Sequence, residues 1–170
     1  MTKVNKFCHD AAYELDKTAK LMIDTSKAFS NGFNLDSFSI LMTVKMKKDT
    51  KGHIFTVYSE SSTPVLSIKA KPLKLEHKDG FIDLDVEEYI TDDLWHTIAI
   101  GVTENAIEVL IDCQSVTYKR RGQFANGIIR GGHILLGQRF TGESFEVSTE
   151  IEFLFFLKKK DETKKTGNFS

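Results

Sequence analysis

The segment Trp95–Cys113, WHTIAIGVTENAIEVLIDC, constrains the fold more than any other part of the chain. Two alternating runs flank a short polar break, Thr103-Glu104-Asn105. The first sets His96, Ile98, Ile100 and Val102 against Thr97, Ala99 and Gly101. The second sets Ile107, Val109 and Ile111 against Glu108, Leu110 and Asp112. Side chains of a strand alternate between faces, so this period predicts two strands and the break predicts a hairpin. The hairpin opens on the only tryptophan and closes on one of the two cysteines.

The rest of the chain repeats the pattern. Phe38, Ile40, Met42 and Val44 share one face of a predicted strand. His53 to Ser59 and Val65 to Ala70 are rich in β-branched and aromatic residues. Ile82, Leu84 and Val86 alternate with Asp83 and Asp85, as in a strand with one wet face. His133-Ile134-Leu135-Leu136 is bracketed by Gly131-Gly132 and Gly137. Between Phe145 and Phe156, the residues Ile151, Phe153 and Phe155 alternate with Glu150, Glu152 and Leu154, which places the two phenylalanines in the core. Asp10 to Asp24 fits a helix by propensity but also divides into strand-like pieces, Ala12 to Leu15 and Lys20 to Ile23, and the strand reading is preferred. Short strands separated by turns predict an all-β chain, an antiparallel β-sandwich or jelly roll. Residues 1–160 form the predicted domain, and Asp161 to Ser170 a polar tail.

A chain of 170 residues can bury about 70% of its unfolded surface and needs no metal or disulfide to fold. A formal net charge of −1 gives no field favouring nucleic acid, and no apolar run is long enough to span a bilayer. Met1 to Lys6 lacks the apolar stretch of a signal peptide. That fits a cytosolic protein and equally a domain cut from a longer secreted chain. Asn168-Phe169-Ser170 is a glycosylation sequon, a tripeptide common by chance.

In order, AAYELDKTAKLMIDTSKAFSNGF, NLDSFSILMTVKMKKDTKGHIFTVYSES, DDLWHTIAIGVTENAIEVLIDC and GHILLGQRFTGESFEV resemble the thrombospondin N-terminal-like laminin-G domain. That domain occurs in thrombospondins, NEL-like proteins and several collagens. The positions that carry the likeness are Phe38-Ser39, Lys47-Lys48, Trp95-His96, Asp112-Cys113, Gly137 and Phe145. The resemblance covers residues 8 to 157. It implies two antiparallel sheets in a curved jelly roll, a secreted or extracellular setting, a role in adhesion or matrix assembly, and no catalysis. It also implies that the cysteine after the hairpin is paired, usually with one near the domain's end. No cysteine follows Cys113 here. The alternatives are a Cys8–Cys113 disulfide, which needs Cα atoms within roughly 7 Å, partners beyond this chain, or two free thiols acting as small hydrophobes.

Charge is unevenly spread. From Cys113 to Phe140 there is no acid, while Lys119, Arg120, Arg121, Arg130 and Arg139 fall there. Lys45, Lys47, Lys48 and Lys51 form a second basic group, and Lys158-Lys159-Lys160 with Lys164-Lys165 a third. Arginine's planar fork suits sulfate, and the resemblance implies that some relatives bind heparin-like chains. Those five residues are therefore the candidate glycosaminoglycan site, against the plain alternative of solvated turns and strand ends. Glu76 to Asp93 is acidic, with Glu76, Asp79, Asp83, Asp85, Glu87, Glu88, Asp92 and Asp93 against Lys78 alone. Calcium needs six to eight oxygens, and Asp92-Asp93 or Asp83 with Asp85 offers two. An exposed strand face explains Asp83 and Asp85 better, and no cofactor is expected. His9, His53, His77, His96 and His133 show no zinc spacing. No nucleophile elbow or phosphate loop is present. Glu150 and Glu152 invite comparison with glycosidase carboxylate pairs, but no flanking aromatics share their face.

The sequence thus predicts a non-enzymatic interaction module whose partner is a glycosaminoglycan or a matrix or cell-surface protein. The alternatives are a structural assembly domain, and a lectin or glycosidase of similar architecture.

Overall fold

A computed structural model describes residues 2–5, 11–15, 21–48, 50–84, 86, 90–120, 126–140 and 149–157. The first strands are β1 (Thr2–Asn5), β2 (Ala11–Leu15), β3 (Leu21–Asp24), β4 (Phe33–Asn34) and β5 (Phe38–Met46), with one helical turn, α1 (Thr25–Ala28), after β3. Then come β6 (His53–Tyr58), β7 (Pro64–Lys69), β8 (Lys74–His77) and β9 (Gly80–Asp83). The last are β10 (Trp95–Val102), β11 (Ala106–Ile111), β12 (Gln114–Arg120), β13 (Ile128–Ile129), β14 (His133–Leu136) and β15 (Thr149–Leu157).

These strands form two antiparallel sheets, as the alternation predicts. One has seven strands in the order β1-β2-β15-β5-β10-β11-β12, the other six in the order β3-β14-β6-β7-β8-β9, and β4 pairs with β13 in a short ribbon. Ile40, Met42 and Val44 of β5, Ile98, Ile100 and Val102 of β10, and Ile107 and Val109 of β11 are buried in one cluster. The same cluster holds Phe55, Leu66, Ile68, Leu75 and Ile134 of the six-stranded sheet. The core is therefore the space between the sheets. Each such aliphatic side chain contributes about 1.5–3 kcal/mol when fully buried.

The β10–β11 hairpin has the predicted faces. Its turn closes with the Thr103 N–H donating to the Ala106 carbonyl at 2.9 Å. The chain then turns again through Asp112 and Cys113, which have φ of 50° and 66°. Ile111 pairs with Gln114, so this is a two-residue turn with both central residues left-handed, the type that matches strand twist. The aspartate-cysteine pair leads into β12, an edge strand that the sequence reading treats only as a basic segment.

The N-terminal region follows the strand reading, not the helical one. β2 joins the seven-stranded sheet and β3 the six-stranded one, so the chain changes sheet between them. β1 is an addition to the strands that the sequence predicts.

One expectation is corrected. The register of β15 against β5 shifts between Ile151 and Phe153. Before the shift Ile151 lies opposite Val44; after it Leu154 lies opposite Met42 and Phe156 opposite Ile40. Val44, Met42 and Ile40 are all core residues. A bulge holds one extra residue, and one extra residue exchanges the faces of everything beyond it. Leu154 and Phe156 therefore take the core-facing positions, while Phe153 and Phe155 take the outer ones opposite Thr43 and Leu41. The bulge also interrupts the alternation that would have put Glu150 and Glu152 on one face.

On the six-stranded sheet, Phe81, Glu76, Ser67, Thr56, Leu135 and Met22 are successive cross-strand partners. They form one row on the outer face. The neighbouring row, Ile82, Leu75, Ile68 and Phe55, faces the core.

Candidate binding site

Arg130 lies where two segments meet. The first is the connection from β6 to β7, Ser59-Glu60-Ser61-Ser62-Thr63. Its N–H groups at Ser59 and Ser62 donate to the carbonyls of Thr63 and Ser59 at 2.9 and 3.0 Å. Its hydroxyls are clustered, with Ser59 Oγ 2.9 Å from Ser61 Oγ and Ser61 Oγ 3.2 Å from Thr63 Oγ1. The second is β13 with Arg130 and Gly131. Together they line an open groove of about 430 Å³, walled by Ser59, Glu60, Ser61, Ile128, Arg130 and Gly131. The close approach depends on two glycines. A Cβ on Gly132, whose φ is +94°, would collide with the Tyr58 carbonyl oxygen. A Cβ on Gly131 would collide with the Glu60 carboxylate.

Arg130 is exposed and makes no ion pair among the described residues. A guanidinium fork beside hydroxyls that can donate or accept can hold a sulfate or carboxylate, and Glu60 can accept from sugar hydroxyls. Ile128, 45% exposed, adds an apolar wall. The Ser59–Thr63 wall was missed from the sequence. A hydroxyl run between two strands is its only signal there.

Arg139 is placed differently. It lies over the outer face of the six-stranded sheet, where its Nη2 donates to Ser67 Oγ at 3.1 Å and to Glu76 Oε2. His53 Nε2 is 3.1 Å from the same Glu76 oxygen, and Ser67 Oγ donates to Thr56 Oγ1 at 3.1 Å. Burial opposes ionisation of Glu76. The His53 hydrogen bond and the Arg139 charge outweigh it and hold the carboxyl below its ordinary range. The charge of Arg139 is committed to this network.

Lys119 and Arg120 end β12, opposite Ile107 and Ala106 respectively. Consecutive strand residues alternate faces, so their register positions fall on opposite faces of the edge strand. Arg121 lies outside the described residues. The structure thus spreads the four described basic residues over three places: the groove, the outer face of one sheet, and the edge of the other.

Cys113 is exposed and free. Cys8 lies outside the described residues, as does Phe145. In the acidic region Asp83 sits 3.5 Å from Lys74, Asp93 3.8 Å from Lys45, and Asp92 3.0 Å from His96. Among the described residues no three His, Cys, Asp or Glu side chains converge as a metal site would require.

His96 is held between two carboxylates. Its Nδ1 lies 2.9 Å from Asp112 Oδ2 and its Nε2 3.0 Å from Asp92 Oδ1. An ionised carboxylate only accepts, so satisfying both contacts requires both ring nitrogens to donate, as in the imidazolium. Burial alone would lower the His96 pKa, but the bonds to Asp112 and Asp92 outweigh it and the net shift is upward. Asp112 also accepts the Thr97 N–H at 2.9 Å. That bond first, and His96 second, lower its pKa. The Trp95-His96 and Asp112-Cys113 pairs therefore meet through one clamp that ties the start of β10 to the β11–β12 turn.

No family model matches the chain. Solved structures do. The binding domain of Paraclostridial Mosquitocidal Protein 1 has a TM-score of 0.63 at 14% identity, covering 91% of this chain and 41% of that one. The receptor binding domain of botulinum neurotoxin mosaic serotype C/D has a TM-score of 0.64 at 12% identity, covering 92% and 40%. Domain 4 of AbnA, a GH43 extracellular arabinanase from Geobacillus stearothermophilus, solved in complex with arabinotriose, has a TM-score of 0.59 at 15% identity, covering 88% and 73%. The chain is similar to these in fold: all are β-sandwiches. It spans about two fifths of the length of the toxin chains. Among the described residues no helix is long and apolar enough to cross a membrane.

Proposed function

We propose that this chain is a non-enzymatic binding module of the extracellular space, and that its ligand is an anionic glycan of the glycosaminoglycan type. The observation that carries the reading is Arg130. It is an exposed cation with no ion pair among the described residues, set in an open groove beside two serine hydroxyls. Three further facts support it. Several structurally similar domains bind ligands by their own descriptions, one of them an arabinotriose complex. The thrombospondin-like sequence order points the same way. Lys119 and Arg120 would add charge at the end of β12, and a linear polyanion can bridge separated cations. Glu76 is held ionised by its partners and is unsuited to donate a proton.

A matrix or cell-surface protein remains the partner if glycans do not bind. The test is elution from immobilised heparin by a salt gradient. The wild-type chain should be retained beyond the level of a neutral protein. Arg130→Ala and the triple reversal of Lys119, Arg120 and Arg121 to Glu should each elute at lower salt. Co-elution of all three proteins would remove the glycosaminoglycan reading.

A further inference from the structure

A second site lies on the outer face of the six-stranded sheet, centred on Phe140. Phe140 is 48% exposed, yet it is not loosely held. It stacks on Tyr58 with ring centroids 4.3 Å apart. Its own backbone N–H donates to the Tyr58 hydroxyl at 2.9 Å. Tyr58 is 2% exposed, so the base of the stack is fixed in the protein. One residue earlier, Arg139 is anchored to Ser67 and Glu76. An apolar ring gains nothing from being displayed to water, and this one is displayed against a buried tyrosine on a backbone held by two polar anchors.

Polar groups border the ring on one side. His133 meets it edge-on, with centroids 6.3 Å apart. Asp24 is the cross-strand partner of His133, its Oδ1 3.2 Å from His133 Nδ1. Lys27 Nζ reaches the other Asp24 oxygen at 2.8 Å. Two residues back along β3, on the same face, Met22 is 58% exposed. Four elements, β3, α1, β6 and β14, thus gather a half-exposed aromatic ring, an imidazole against its edge, and a carboxylate and an ammonium linked in turn to that imidazole.

From this arrangement we infer that Phe140, Asp24 and His133 form a subsite for a neutral pyranose. The C–H face of the sugar lies on the ring, and its adjacent hydroxyls donate to Asp24 and exchange hydrogen bonds with His133. A flat apolar platform flanked by a carboxylate, whose oxygens keep a lone pair each beside their Lys27 and His133 contacts, matches a sugar ring, which is apolar on its faces and hydroxylated at its edge. Fixing the ring beforehand lowers the ordering cost of binding. This site uses none of the residues of the Arg130 groove and does not rest on that reading.

The test is ligand-observed NMR of the wild-type chain with methyl pyranosides of glucose, galactose, mannose and xylose, followed by backbone chemical-shift mapping. At least one glycoside should bind, with shifts at Asp24, His133 and Phe140. Phe140→Ala should weaken it about five- to tenfold, Asp24→Asn should weaken it as well, and Phe140→Trp should keep it. Arg130→Ala should leave it unchanged. The inference is overturned if no glycoside binds, if shifts map elsewhere, or if a proline-rich or aromatic peptide occupies the platform and the glycosides do not. The wild-type mapping decides the matter even where a variant fails to fold.

Discussion

Replacing Asp112 with asparagine isolates one charge of the His96 clamp. Asparagine keeps an oxygen to accept the Thr97 N–H, which lies 2.9 Å from Asp112 Oδ1. It also tolerates the left-handed conformation at this position, where φ is 50°, better than most residues do. What it removes is the negative partner of His96 Nδ1. A hydrogen bond to a charged group contributes about 1.5–3 kcal/mol, and the Asp112 side chain is 53% exposed, which discounts it to about 1 kcal/mol. For a chain of this size that is a fall of about 2–4 °C in Tm. The pH dependence has a definite sign. The folded pKa of His96 is raised, so the clamp is at full strength below the unfolded value, about 6.5. It is lost as pH rises through the folded value. At pH 9 the neutral ring can accept from the amide of the introduced asparagine, and the Asp112→Asn variant should match or exceed the wild type. Thermal melts at pH 5.5 and pH 9 measure this. An equal gap between the two proteins at both values would refute the assignment of a charged His96.

Other consequences follow from the same geometry. Gly132→Ala should cost about 2–4 kcal/mol in a urea melt, since it adds a backbone collision to a φ unsuited to alanine, whereas Gly80→Ala, with a φ of +149° but open space around it, should cost only the backbone strain, about 1–3 kcal/mol. Phe156→Ala should destabilise by about 3–5 kcal/mol and Phe155→Ala by far less; the reverse order would show that the β15 bulge is misplaced. Arg139→Met should cost about 2 kcal/mol by leaving a half-buried Glu76 without its main cation, and pairing it with Glu76→Gln should recover part of that loss in a double-mutant cycle.

Much of the fold was legible because one period did the work. Ile98, Ile100 and Val102 alternate with the small residues Thr97, Ala99 and Gly101, and burial of that face leaves one register for the hairpin. β5 reads in the same way, whereas β6 and β7 show through their β-branched and aromatic content and β14 through its flanking glycines. β15 could not, because a bulge is one residue without a side-chain signature, and it reverses Phe153 and Phe155 without changing the composition. β12 was obscured by its charge: Ser115-Val116-Thr117-Tyr118 favours a strand, but Lys119-Arg120-Arg121 drew the reading toward a patch. The site was less legible than the fold. Charge counting picks out Arg130 and Arg139 alike, yet only cross-strand placement shows that Glu76 engages one and that a serine-rich turn lies beside the other. The Phe140 platform depends on Tyr58, 82 positions away, a contact that no local pattern announces.

The central claim is that an anionic glycan is held at the Arg130 groove. Titration calorimetry with a heparin-derived oligosaccharide at several salt concentrations, on the wild type and on Arg130→Ala, tests it most directly. Binding should weaken as salt rises, and the variant should bind about tenfold more weakly, with a salt slope shallower by about one. Identical affinity and slope for the two proteins, or no binding at low salt, would contradict it.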